Sequence, residues 1–418
     1  MNAPDLIRRL QPTEGGATAL PADAGVYDAS QTPTVLFLDQ TGQLGGAEFA
    51  LLPLAEACTT RSEVVLLADG PFRTRLEEHG VRVKVLSDAR VSNLDREAVR
   101  LNLLSAVPGI LRQIRAIARE ARRFDVLFVN TQKAMVLGAL GKPLHRRPVI
   151  WFLHDIMSRA HFGRVQLMVV KWLSRYVVDQ VVANSRASAE TLSALAGIPL
   201  ERIPVIPNGI DAAGFHKIDA DAADDRAALR RRLGLPENAY LAGLFGRLAP
   251  WKGQHIALQA LAKLPDVHLV LVGAPLFGER AYADGLRLQA EELGVTGRVH
   301  FAGFRDDMPA WMKAMDMVLH TSIDPEPLGR VVIEGMIAER PVVAAAAGGV
   351  LEIVRDGHNG LLAKPGDVDG IVKAIDTLRL HPDMAHRLAR QGAIDAQRDF
   401  SLEAYVSRMT QAIARAAR

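Results

Sequence analysis

Glu326 and Glu334 stand eight residues apart in the stretch PEPLGRVVIE, which follows an apolar run and opens a helical pattern. Pro327 and Gly329 suit a turn into a helix whose first backbone N–H groups have no partner, so the helix start is a ready anion site. Glu326 falls in the turn and is expected to aim at a cleft. Glu334 falls inside the helix beside Ile333 and Ile337, where an unpaired carboxylate is costly, so it needs hydroxyl or amide partners. Ribose hydroxyls would satisfy it. Taken alone, the two carboxylates also fit a helix-dipole Glu and an ordinary surface Glu.

A second stretch, FGRLAPWKG, puts Gly246, Arg247 and Lys252 directly after another strand pattern. Arg grips a diphosphate bidentately and Lys adds a compact charge, so the pair would stabilise a departing nucleoside diphosphate. Gly45 and Gly46, in GQLGGAE, lie between a strand and a helix but lack the spacing of a dinucleotide or Walker loop. They still let backbone approach a ligand at a helix start. His154 and Asp155 end a further apolar run, and Gly348, Gly349 and Glu352 repeat the plan of strand, glycine loop and helix. No Asp-x-Asp pair sits at a plausible strand end, so no metal site is expected. The nearest approach to one is Asp324-x-Glu326.

The elements that must position these residues alternate. Strand patterns are expected at 34–39, 63–68, 81–86, 125–130, 149–154 and 180–184, with helical segments between several of them. The rhythm pauses at VIPNGID and a polar stretch reaching residue 225, then resumes with strands at 240–245, 268–272, 299–302, 317–321 and 341–346. Helices are expected at 256–263, 281–293, 331–338, 370–380 and 402–417. This pattern predicts an α/β chain of two doubly wound parallel-sheet domains facing across a cleft, with the motifs gathered at the carboxyl ends of the strands. The expected division is a flexible tail at 1–33, a first domain at 34–210, a second at 211–400, and a last helix at 401–418 that packs back on the first domain.

The chain has 418 residues, 49% hydrophobic and 23% charged, enough for two packed cores and unlike a disordered composition. Cys58 is the single cysteine, which excludes an intramolecular disulfide and points to a reducing cytoplasm. No run of about 18 uncharged apolar residues is present, so a membrane span is not expected. The net charge of +3 conceals residues 90–180, with 16 Lys or Arg against 6 Asp or Glu. Such a positive field attracts anionic lipid, nucleic acid or phosphorylated substrates, or is simply a solvated Arg-rich helix face, and the apolar segments within it at 101–123 and 161–176 suggest peripheral contact with an anionic inner leaflet.

In their order, these motifs resemble those of glycosyltransferase family 4, the retaining transferases of GT-B fold. Glu326 and Glu334 match its Glu-x7-Glu motif, Arg247 and Lys252 its basic pair, VIPNGID its domain junction, GGAE its first-domain loop and GGVLE its late glycine turn. Leu328 stands where Phe is commoner. The resemblance implies a GT-B fold of two Rossmann-like domains and metal-independent transfer of a sugar with retention. It implies a UDP- or GDP-sugar donor, a saccharide or lipid-linked acceptor, and a place in bacterial polysaccharide, lipopolysaccharide or glycolipid synthesis. No cofactor and no nucleic acid are implied. Roles follow by resemblance: Glu334 holds ribose, Glu326 and the amides around Leu328 and Gly329 hold the donor sugar, and His154 meets a sugar hydroxyl. Arg247 and Lys252 hold the diphosphate, with Gly45, Gly46 and Gly246 beside the donor. A GT-B nucleotide-sugar 2-epimerase and a non-catalytic nucleotide-sugar-binding partner are the competing functions.

Overall fold

The computed structural model describes residues 33–87, 103–221, 226–276 and 278–418. The expected tail, the start of the basic stretch at 90–102 and the end of the polar junction at 222–225 lie outside them.

Near-continuous apolar runs such as VLFLD and VIWFL can be buried on both faces, and that is what a parallel sheet covered by helices requires. Among the described residues, the first half has six strands: β1 (Val35–Asp39), β2 (Ser62–Leu66), β3 (Val83–Val85), β4 (Val126–Val129), β5 (Val149–Leu153) and β6 (Gln180–Ala183). The second half has β7 (Tyr240–Phe245), β8 (Val267–Val272), β9 (Val299–Gly303), β10 (Met317–His320), β11 (Val342–Ala345) and β12 (Leu361–Ala363). Every pairing is parallel. The orders β3-β2-β1-β4-β5-β6 and β12-β11-β10-β7-β8-β9 are the same doubly wound topology repeated.

In each sheet the order reverses between the first and fourth strands, and the loops leaving those strands diverge to open a crevice. The switch points are therefore β1/β4 and β7/β10.

Alternate residues of each strand feed two cores. In the first sheet, Leu36, Leu127 and Trp151 pack under the helices Leu103–Ala121, Gln132–His145, Arg164–Tyr176 and Arg186–Ala196. Phe37, Phe128 and Phe152 pack on the other face, under Gly46–Ala57, Pro71–Glu78 and the last helix, Leu402–Ala416. That last helix returns to the first half of the chain: Tyr405 is buried and its hydroxyl donates to the Ala50 carbonyl at 2.8 Å. Two crossings between the halves run side by side where the Ile210 amide donates to the Phe400 carbonyl at 3.0 Å.

Several elements escape the sequence reading. The polar junction holds the helix Ala213–Asp221, followed by Arg226–Arg232. The Arg230 guanidinium of the latter is buried against Asp316 and three carbonyls. Helix Pro382–Asp399 and strand β12 were also not expected. The polar look of both helices comes from their solvent faces.

Candidate functional site

The second switch point assembles the residues that sequence separates most widely. β7 ends at Phe245, and Gly246 takes φ 127°, a conformation closed to other residues, to swing Arg247 and Lys252 out of the sheet. The Thr321 hydroxyl, just past β10, donates to the Lys252 and Gly253 carbonyls at 3.1 and 2.9 Å, fastening the two loops together. Lys252 Nζ then reaches Glu326 Oε1 at 2.5 Å. Ser322 Oγ donates to the same oxygen at 2.5 Å. His320 Nε2 stands 2.9 Å from it.

Burial alone would raise the Glu326 pKa, but Lys252 and His320 opposite it hold the carboxyl well below the usual range. Glu326 is an ionised, buried carboxylate. Glu326 lies in the expected turn, and its side chain, 6% exposed, meets Lys252, Ser322 and His320. A carboxylate beside a buried Lys and His gains more from pairing than the remaining water at the rim would offer.

Arg247 is matched as well. Its Nε lies 3.2 Å from Glu279 Oε2, and its guanidinium sits 5.9 Å from the Trp251 ring, with Lys252 Nζ at 4.4 Å from the same ring. Both expected diphosphate cations thus have a carboxylate in reach.

Gly329, at φ 93°, begins the helix Arg330–Ile337, and Leu328 before it is buried. Glu334 accepts from Arg330 Nε at 2.7 Å, so its partner is a guanidinium one turn earlier, not the hydroxyl or amide expected. Residues four apart on a helix are neighbours, which makes this pairing immediate. The Arg330 guanidinium in turn sits 5.4 Å from the ring of Phe49 in the first half. The late glycine turn seats the Glu326 loop: Gly349 N–H donates to the Glu326 carbonyl at 2.9 Å, and a side chain at Gly348 would strike that carbonyl. Glu352, one turn on, accepts from the Arg186 and Ala187 amides at 2.8 and 2.9 Å, joining the two halves at the start of Arg186–Ala196.

The first switch point is held by a network of neutral and acidic groups. Asn130, just after β4, donates to Asp39 Oδ2 at 2.7 Å and to the Ala47 carbonyl at 3.1 Å, and its oxygen meets His154 Nε2 at 3.0 Å. It thereby ties the ends of β1, β4 and β5 to the helix that opens at Gly45 and Gly46. Burial presses the His154 pKa down to about 3, so the ring is neutral, with the proton on Nε2 and Nδ1 without a partner. Burial raises Asp39 and Asp155 to about 6. Burial, reinforced by the Asp39 charge, raises Glu48 to about 8.

Glu326, Arg247, Lys252, Gly246, Leu328, Gly329 and Glu334 therefore gather at one switch point, and Gly45, Gly46 and His154 at the other. Reasoning from sequence missed His320, Ser322, Asn130, Asp39 and Glu279. The signal for the first four was present: each ends a strand at a switch point or follows one within two residues. Among the described residues, no three His, Cys, Asp or Glu side chains group as metal ligands, and no helix is long and apolar enough to cross a membrane.

Residues 44–213 match a family model described as Glycosyltransferase Family 4, and residues 225–394 match one described as Glycosyl transferases group 1. Among curated proteins, a D-inositol 3-phosphate glycosyltransferase of Thermomonospora curvata is 28% identical over 90% of this chain and 92% of its own. One from Mycobacterium sp. (strain KMS) is 34% identical over 72% and 68%. Among solved structures, Anabaena HepE in complex with UDP and glucose aligns with a TM-score of 0.82 and 37% identity, covering 92% of this chain and all of that one. HepE has also been solved with UDP-glucose.

Proposed function

This chain belongs to the group 1 glycosyltransferases of family 4, and from that premise we propose that it moves a glycosyl group from a UDP-sugar to an acceptor hydroxyl with retention of anomeric configuration. The observation that carries the reading is the Lys252–Glu326 pair at the β7/β10 switch point, flanked by Arg247 and by the helix start after Gly329. The comparisons favour transfer over the epimerase and the non-catalytic partner. Identity of 37% to a protein solved with UDP-glucose makes that donor the first to try.

In the proposed reaction, Arg247, Lys252 and the helix N-terminus hold the diphosphate as the bond from the anomeric carbon to phosphate oxygen breaks. The acceptor oxygen attacks the same face, and its proton passes to the departing phosphate oxygen. Double displacement would need a carboxylate beneath the anomeric carbon. Glu326 is committed to Lys252, and Glu334 to Arg330 and then to ribose. His154, neutral and with Nδ1 unpaired, is suited to accept from a sugar hydroxyl. Since two cations serve the diphosphate, the reaction is proposed to run without a metal. A role in bacterial polysaccharide, lipopolysaccharide or glycolipid synthesis, and a cytoplasmic location peripheral to the membrane, complete the proposal.

Thermal shift against UDP-, GDP- and ADP-sugars identifies the donor, since a ligand at about 100 times its dissociation constant stabilises by about 2.7 kcal/mol. Anomeric NMR of the first product then decides the stereochemistry. An inverted product, or activity abolished by EDTA and restored by manganese, overturns the corresponding part of the reading.

A further inference from the structure

The helix Arg164–Tyr176 is apolar on both its buried and its outward face. Leu167, Val170 and Leu173 face the core, as they must. The outward face is also apolar: Val165, Met168, Trp172 and Tyr176 are 70%, 63%, 56% and 66% exposed, and their spacing of three, four and four residues lays them in one stripe. The Trp172 and Tyr176 rings sit 6.1 Å apart on that stripe. The neighbouring helices on the same side of the first sheet continue it, with Leu140 and Leu144 exposed on one and Val107 and Leu111 on the other.

We propose that this outer face docks the protein on an anionic lipid leaflet, with the stripe entering the headgroup region and the surrounding bases meeting lipid phosphates. The proposal deepens the peripheral location given above and does not depend on the transfer reaction. Charge complementarity selects the occupant. Residues 103–176 hold thirteen Lys or Arg against three Asp or Glu. Arg164, Lys171 and Arg175 are exposed along the edge of the stripe. Trp and Tyr, each apolar in body and polar at one end, suit the boundary between headgroups and acyl chains, and basic residues around them add attraction to anionic lipid. A second copy of the chain is disfavoured, because two such faces would bring like charges together.

The test uses the whole protein with vesicles of phosphatidylcholine, with or without phosphatidylglycerol. The expected result is co-sedimentation with the anionic vesicles only, release by salt, and quenching of tryptophan emission by brominated lipid. Trp151 and Trp311 are buried, and Trp172→Phe should remove most of the quenching. Met168→Glu with Trp172→Glu should weaken vesicle binding by at least about tenfold while UDP affinity is unchanged. Should that double variant fold poorly, Arg164→Glu with Lys171→Glu tests the same face from its charged edge. Binding of the wild type with both variant pairs equally retained overturns the assigned surface but leaves the peripheral location standing. No binding by the wild type overturns both. Dimerisation abolished by the same substitutions, without vesicle binding, assigns the face to a second copy and overturns the proposal.

Discussion

Lys252 and Glu326, 74 positions apart in sequence, meet at 2.5 Å where the loops leaving β7 and β10 converge. Their counterparts in the first half are Asp39 and Asn130, which meet at 2.7 Å at the β1/β4 switch point. The same topology thus produces the same kind of junction twice, a lysine–carboxylate ion pair in one half and an amide–carboxylate hydrogen bond in the other. The junction that holds the lysine is the one proposed to receive a diphosphate.

Removing one member of a buried ion pair leaves the other uncompensated, so Lys252→Ala should destabilise the protein by about 3 kcal/mol and lower turnover sharply. Lys252→Met combined with Glu326→Leu should recover much of the stability but none of the turnover. Urea unfolding and donor turnover, measured on both variants, separate the two effects. A fully active double variant would remove the pair from the reaction.

Glu334→Ala should raise the nucleotide dissociation constant by about tenfold, equivalent to about 1.4 kcal/mol, with little change in turnover at saturating donor. Glu326→Gln should do the reverse, lowering turnover more than donor affinity. Calorimetry with UDP beside steady-state kinetics checks the pair. Wild-type affinity in the Glu334 variant would leave the ribose role without support.

Glu352 caps the amides of Arg186 and Ala187 from the opposite half of the molecule. Its side chain is solvent-accessible, so Glu352→Ala should cost about 1 kcal/mol, as for a helix N-cap. Because this contact spans the two halves, the nucleotide-free variant should also show a larger radius of gyration in solution scattering. An unchanged radius would mean that other contacts alone hold the halves together.

The ordinary Glu pKa of 4.5 is raised in Glu48 to about 8 by burial and the Asp39 charge. The fold therefore favours the neutral form, and the associated stability, complete below about pH 4.5, is lost as pH rises through about 8. Glu48→Gln cannot ionise. Its melting temperature relative to wild type should climb across that window and level off above it, while Asp39 and Asp155 titrate in both proteins. A constant difference from pH 5 to 9 would show that Glu48 does not titrate there (expected window about 4.5 to 8).

The sequence by itself determined the local elements and the family. Runs such as VLFLD and VIWFL are apolar enough to be strands buried on both faces, and glycines at 246, 329, 348 and 349 mark where chain must turn sharply or pass close to other backbone. Those signals are carried by neighbouring residues, so they survive without a fold. What Glu326 and Glu334 face was not legible. A carboxylate's surroundings depend on which strands pair, and only the β7/β10 pairing brings Lys252, His320 and Ser322 onto Glu326. Polar-looking segments such as 213–221 and 382–399 were missed as helices because periodicity reports the solvent face as strongly as the buried one when the buried stripe is narrow. The cap of Glu352 on Arg186 and the return of Tyr405 to Ala50 span 166 and 355 positions. Contacts at such separations follow from how the two halves pack, and no local pattern of residue types encodes that packing.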